Sequence, residues 1–155
     1  MCFSIIITME IKKPDEQLGY LLTQVSFLKQ RIINSALKVL DITYIQFIIL
    51  AGTLELGENN GIVTQQDISQ HRRLDKAMVS NVVKVLIEKG LMIRHTHPVD
   101  KRAYTLLLTT TGIEKAVKGK EIALQIDETF FAGIDKNTFL QSLTILLENK
   151  GGEDE

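Results

Sequence analysis

Between Lys76 and Glu88 apolar and polar residues alternate at helical spacing, and the polar side is the one that could do chemistry. Val79, Val82, Val83 and Leu86 share the face that a core would take, while Ala77, Ser80, Asn81, Lys84 and Glu88 line the opposite side. Short side chains let a helix lie close to another surface, and Ser and Asn each offer a donor and an acceptor. Those are the requirements for reading base edges in a major groove, with Lys76 and Lys84 placed to meet phosphate. An ordinary amphipathic helix has the same period but more often shows long charged side chains to water. A second group is Asp100-Lys101-Arg102. Two residues apart at a hairpin tip, Asp100 and Arg102 can share one face, the carboxylate organising the tip and the guanidinium entering a minor groove. A third group, His95, His97 and Asp100, has a metal-like look, because alternation on a strand turns both imidazoles one way. With no cysteine or further histidine nearby, and with Arg94 and Arg102 repelling a cation, phosphate contact is the better use and no metal is expected.

The elements that must position these residues are marked by their ends. Asp75 is an N-cap type residue and Gly90 the natural C-cap, so a helix is predicted from Asp75 to Lys89. Thr64 with Asp67 is a capping pattern that starts a shorter helix to about Arg72, with His71 to Leu74 as the turn between the two. After Gly90, Leu91 to His95 and Ala103 to Leu108 are β-type runs flanking the basic tip His97 to Arg102. Two short helices and a hairpin, Thr64 to Thr111, make the layout of a winged helix-turn-helix. Upstream, Pro14, Asp15 and Glu16 start a long helix to about Val39, with Leu18, Leu21, Leu22, Val25, Leu28, Ile32, Ala36 and Val39 as its apolar stripe. Thr43 with Gln46 caps a mostly buried helix ending at Gly57, Glu58 to Gly61 is a polar turn, and Ile62-Val63 is expected as a short third strand. Downstream, Thr111 with Glu114 is expected to cap a helix bearing Ile113, Val117 and Leu124, bent at Gly119. Gly133 breaks the pattern and Asp135 caps a last helix with Phe139, Leu143, Leu146 and Leu147 on one face, before an acidic tail frays from Gly151.

The central residues resemble the MarR family of bacterial transcription regulators. The match lies in the Leu-x-x-x-Gly-Leu turn (Leu86 to Leu91), the Asp-x-Arg wing (Asp100-Lys101-Arg102), the Leu108-Thr109 pair and the Thr110-Thr111-Gly112 that follows, all in the family's order and spacing. The resemblance covers Thr64 to Gly112, and the flanking helices agree in number and placement. It implies a mainly α fold with a small antiparallel β-hairpin wing, a winged helix-turn-helix at 43–110, and dimerisation helices at 14–40 and 111–149, all in one domain spanning 1–155. It also implies a homodimer on near-palindromic double-stranded DNA and opens the possibility of a small aromatic effector; a compact dimer without an activation segment acts most simply as a repressor that occludes a promoter, with activation left open by the residues. The expected DNA-contacting residues are Thr64, Gln65, Lys76, Ala77, Ser80, Asn81, Lys84, Lys101 and Arg102, with Asp100 organising the wing. Tyr20, Phe27, Tyr44 and Phe47 are candidates for an effector cleft, although aromatic residues at helical spacing are more often plain core.

Composition sets the outer limits. A chain of 155 residues, 45% hydrophobic and 24% charged, is long enough for one ordinary core. Its net charge of −1 hides an asymmetry. From Thr64 to Thr111, Arg72, Arg73, Lys76, Lys84, Lys89, Arg94, Lys101 and Arg102 face only Asp67, Asp75, Glu88 and Asp100. One cysteine, Cys2, fits a reducing cytoplasm. A redox role for it is disfavoured because no basic residue precedes Lys12. Cys2 to Thr8 is apolar but too short for a membrane anchor, and without a basic stretch before it the segment is no convincing signal peptide; Met9 is a candidate start. No nucleophile triad, phosphate loop or carboxylate pair has coherent spacing, so neither an enzyme nor a cofactor is expected. The alternative to DNA is a winged helix that binds protein. A wing tip of that kind would carry an apolar anchor, and here only Pro98 and Val99 stand among charges.

Overall fold

Every α-helix after the first begins where a side chain satisfies free amides of its first turn. In the computed structural model, which describes residues 17–150 with the side chains of 59, 60, 149 and 150 excepted, α1 covers Leu18–Leu37 and passes through a 3-10 turn at Lys38–Leu40. The helix start expected at Pro14 to Glu16, Cys2, Met9 and the acidic tail lie outside the described residues. Helix α2 (Tyr44–Asn60) opens on the Thr43–Gln46 capping box and α3 (Gln65–Arg72) on that of Thr64 and Asp67. The Asp75 carboxylate accepts from the Met78 amide at 2.9 Å to start α4 (Lys76–Glu88). At its far end Gly90 takes φ 69°, and the Leu91 amide bonds back to the Leu86 carbonyl at 2.9 Å, the left-handed stop that glycine makes cheaply.

Strands β1 (Met92–Thr96) and β2 (Tyr104–Leu108) pair antiparallel, Met92 opposite Leu108 and Thr96 opposite Tyr104. The third strand expected at Ile62-Val63 does not form. A single backbone bond, from the Leu106 amide to the Val63 carbonyl at 2.7 Å, ties that segment to the hairpin. Helix α5 (Thr110–Phe130) and α6 (Lys136–Lys150) complete the order, with Gly133 at φ 86° between them and Asp135 bonded to the amides of Asn137 and Thr138.

One expectation for α5 is corrected. Its cap is Thr109, whose hydroxyl accepts from the Gly112 amide at 3.0 Å, and not Thr111. Thr109 wins because it is also fixed from outside: its hydroxyl donates to the Gly90 carbonyl at 2.8 Å and its amide to the Leu91 carbonyl at 3.1 Å. Gly119 lies inside an uninterrupted helix, where a Cβ would fall 2.5 Å from the Phe47 ring. The glycine lets α2 and α5 approach each other.

The core is built around α2. Ile49 and Leu50 meet Ile68 of α3, Val79, Val83 and Leu86 of α4, Leu106 of β2 and Ala116 of α5, all buried. Burying a side chain of this size contributes about 1.5–3 kcal/mol. Helix α1 gives that core only Ile33 and Leu37, and leaves Leu18, Leu21, Leu22, Val25, Leu28 and Ile32 exposed; Leu140, Ile145, Leu146 and Leu147 of α6 are exposed too. Lys29 joins α1 to α5 through Asp127 at 2.9 Å, with the Tyr44 and Phe131 rings 5.8 and 6.0 Å away. No single helix among the described residues is long and apolar enough to cross a membrane.

Candidate nucleic-acid interface

The polar stripe of α4 is held outward because its opposite face is fully committed. Val79, Val83 and Leu86 are buried, and Lys76, Ala77, Asn81, Lys84 and Glu88 are exposed, with Ser80 and Val82 half-buried at the edges. The turn leading into α4 is tight. Arg73 sits in the left-handed region at φ 50°, the Leu74 amide reaches the Ser69 carbonyl at 2.9 Å, and the buried Ser69 hydroxyl donates to the Leu74 carbonyl at 2.6 Å. A non-glycine residue in that region is an uncommon arrangement that surrounding contacts must hold in place.

Helix α3 is braced from behind. Glu55 of α2 takes Arg72 at 2.9 Å and His71 at 3.1 Å, and the Arg72 side chain crosses Gly52 so closely that a Cβ there would meet its Nε at 2.8 Å. Partial burial pushes the Glu55 carboxyl up, but the His71 hydrogen bond, the charge and hydrogen bond of Arg72, and the charge of Lys120 together hold it below the usual carboxylate range. The clamp therefore keeps its charge at neutral pH.

The wing tip is organised by backbone bonds. Asp100 Oδ1 accepts from the Arg102 amide at 3.0 Å and its carbonyl from the Ala103 amide, while His97 Nδ1 accepts from the Val99 and Asp100 amides at 3.2 and 3.0 Å. The Asp100 carboxylate thus holds the main chain of the tip, and no ion pair ties it to the Arg102 guanidinium among the described residues. The two amide bonds to His97 make it a turn-former instead of a partner for His95. Among the described residues none of Lys76, Lys84, Lys101 and Arg102 has an ion-pair partner. All four are exposed.

Between α3, α4 and the hairpin lies a cleft of about 430 Å³. Thr64, Gln65 and Ser80 line it, as expected members of one surface, together with Gln66, Arg94 and Tyr104. Those last three carry no signal of their own in the sequence, where Arg94 counts only as one charge among many. Thr64 is already occupied, its hydroxyl donating to Asp67 at 2.7 Å.

The four aromatic residues considered for an effector cleft are dispersed. Phe47 is buried against Gly119 with Tyr44 stacked beside it at 6.3 Å, while Tyr20 and Phe27 are exposed on α1. An apolar cleft of about 590 Å³ opens elsewhere, among Val25, Leu28, Phe130, Phe131, Ile134 and Phe139.

Two helices in a braced turn, an outward polar helix and a hairpin with unpaired cations define a winged helix-turn-helix protein. The MarR family model matches residues 40–103. A relative from Bacillus subtilis (strain 168), called uncharacterized HTH-type transcriptional regulator YdcH, is 35% identical over 138 residues, covering 88% of this chain and 94% of its own. The chain belongs to the MarR family of transcription regulators. Two solved structures share its fold at 23% identity. S. aureus MepR in complex with DNA superposes with a TM-score of 0.76, covering 85% of this chain and 94% of its own. CouR from Rhodococcus jostii RHA1, bound to p-coumaroyl-CoA, gives 0.75 over 88% and 93%.

Proposed function

We propose that this protein is a homodimeric regulator that binds a near-palindromic operator in double-stranded DNA and represses by occluding a promoter. The observation that supports the reading is the exposure of α4's short polar stripe and of Lys76, Lys84, Lys101 and Arg102, none with an ion-pair partner among the described residues, beside a cleft that brings Thr64, Gln65 and Ser80 up against the hairpin. In this reading Ala77, Ser80 and Asn81 face bases, Lys76, Lys84, Lys101 and the start of α3 at Thr64 and Gln65 meet the backbone, and Arg102 enters the minor groove. Dimerisation is supported by the apolar faces of α1 and α6, far more than the small core consumes. It would set two copies of α4 about 34–36 Å apart, one helical turn of DNA.

A small aromatic molecule is proposed as the modulator, since CouR is solved with an aromatic acyl-CoA and this chain gathers Phe130, Phe131 and Phe139 around an apolar cleft. The decisive experiment is fluorescence anisotropy with the duplex immediately upstream of the coding sequence, at several salt concentrations. Tight, salt-sensitive binding that exceeds binding to a scrambled duplex is expected. Salt-independent or absent binding would transfer the wing to the protein-contact alternative.

A further inference from the structure

The inner face of the hairpin changes character along its length. Residues directly opposite across the ladder share a face, so the pairs Arg94–Leu106 and Thr96–Tyr104 put Arg94 and Tyr104 diagonally adjacent on the side that buries Met92 and Leu106. Nearer the tip that side leaves the core and becomes a wall of the cleft facing Gln65 and Ser80. The Arg94 guanidinium lies 4.4 Å from the centre of the Tyr104 ring. Stacking engages the flat face of a guanidinium and leaves its in-plane N–H groups available. Among the described residues Arg94 has no carboxylate partner, and no acidic side chain lines the cleft. A guanidinium held over a ring, beside neutral donors and with no acidic side chain lining the cleft, is a site for a phosphate oxygen pair.

We propose that this cleft seats a backbone phosphate of the DNA, gripped by Arg94, and that Tyr104 is the positioning residue that aims the guanidinium. The seat rests on the DNA-binding reading. Its effect would be to fix the angle of the wing to α4 on the duplex, because the two walls of the cleft belong to different elements.

The test is a double-mutant cycle on affinity for a mixed-sequence duplex of about 30 base pairs, chosen because a phosphate contact is indifferent to sequence. Arg94→Ala should lower the slope of log K against log salt by about 0.9 for each protomer bound. Tyr104→Leu should weaken binding, Tyr104→Phe should behave as wild type, and Tyr104→Leu should add little once Arg94 is already Ala. Arg94→Lys should keep the slope while losing affinity. Melting curves identify any variant that fails to fold, and Tyr104→Phe carries the test of the ring if Tyr104→Leu does. An unchanged slope in folded Arg94→Ala, or fully additive losses in the cycle, overturns the seat while leaving the DNA reading intact. Wild-type protein that binds no duplex removes both. Inorganic phosphate that stabilises the wild type but not Arg94→Ala, with equal DNA slopes, would give the cleft to a free anion and overturn the assignment to DNA.

Discussion

Replacing Gly112 by Ala should destabilise the protein, although the same change in an open helix would do the reverse. An added Cβ would lie 2.0 Å from the Leu91 carbonyl oxygen, where real contacts stay beyond 3.0 Å, so main chain must move by about 1 Å. The carbonyl has little room to move, since it accepts from the Thr109 amide at 3.1 Å. Overpacking costs about 1–3 kcal/mol and weakening that hydrogen bond about 0.5–1.5, against a gain in helix propensity of about 0.5–1. A net loss near 2 kcal/mol lowers the melting temperature by roughly 4–8 °C for a chain of this size. Gly57 is the control, a helical glycine with nothing within 4 Å of an added methyl, so Gly57→Ala should gain about 0.5–1 kcal/mol. Thermal unfolding followed by circular dichroism at one fixed protein concentration reads both. A Gly112→Ala protein melting at or above wild type would refute the close contact, and equal gains in both variants would mean that propensity alone governs.

Asn81→Ala should cost about 1–3 kcal/mol on the operator and little on scrambled DNA, whereas Lys84→Ala should weaken both and flatten the salt slope; equal effects on the two duplexes from Asn81→Ala defeat the assignment. Arg102→Ala should melt and dimerise normally yet lose most operator affinity, with Arg102→Lys recovering part, and near-normal binding by the Ala variant leaves α4 as the sole anchor. The Glu55 carboxyl is held below its ordinary value of 4.5, so its clamp stabilises the fold above that pH and the contribution fades as pH falls through the lowered value. Glu55→Gln should therefore flatten the acid limb of a stability–pH profile, and an unchanged limb would show the clamp to be inert. Static light scattering at micromolar concentration should give twice the chain mass, and a stable monomer would remove the palindromic-site argument.

What could be read in advance follows from range. The boxes at Thr43–Gln46 and Thr64–Asp67, and the Asp75 cap, close within three residues, so the sequence alone carries them. Thr109, Thr110 and Thr111 are locally interchangeable, and the choice among them is made by Gly90 and Leu91, about twenty residues upstream. What Gly119 makes room for cannot be seen until Phe47, distant in the chain, is placed against it. At the wing, residue types and order were legible, but whether Asp100 would bond a guanidinium or an amide depended on the path of the turn. Arg94 and Tyr104 become a pair only through strand register, which no spacing within either strand reveals.

The uninterrupted helix α5 also has a mechanical consequence. Its first turn is pinned to the base of the hairpin by Thr109 and Gly112, and its last carries Phe130 beside the apolar cleft. With 21 residues at 1.5 Å each it is a beam about 31 Å long. The Phe47 ring, seated at Gly119 near its middle, has the place of a fulcrum. A tilt of about 5° about that point carries each end of a beam this long sideways by roughly 1.4 Å, in opposite directions. A wedge of side-chain size driven in at the aromatic end would thus be felt at the root of the hairpin as a sideways push.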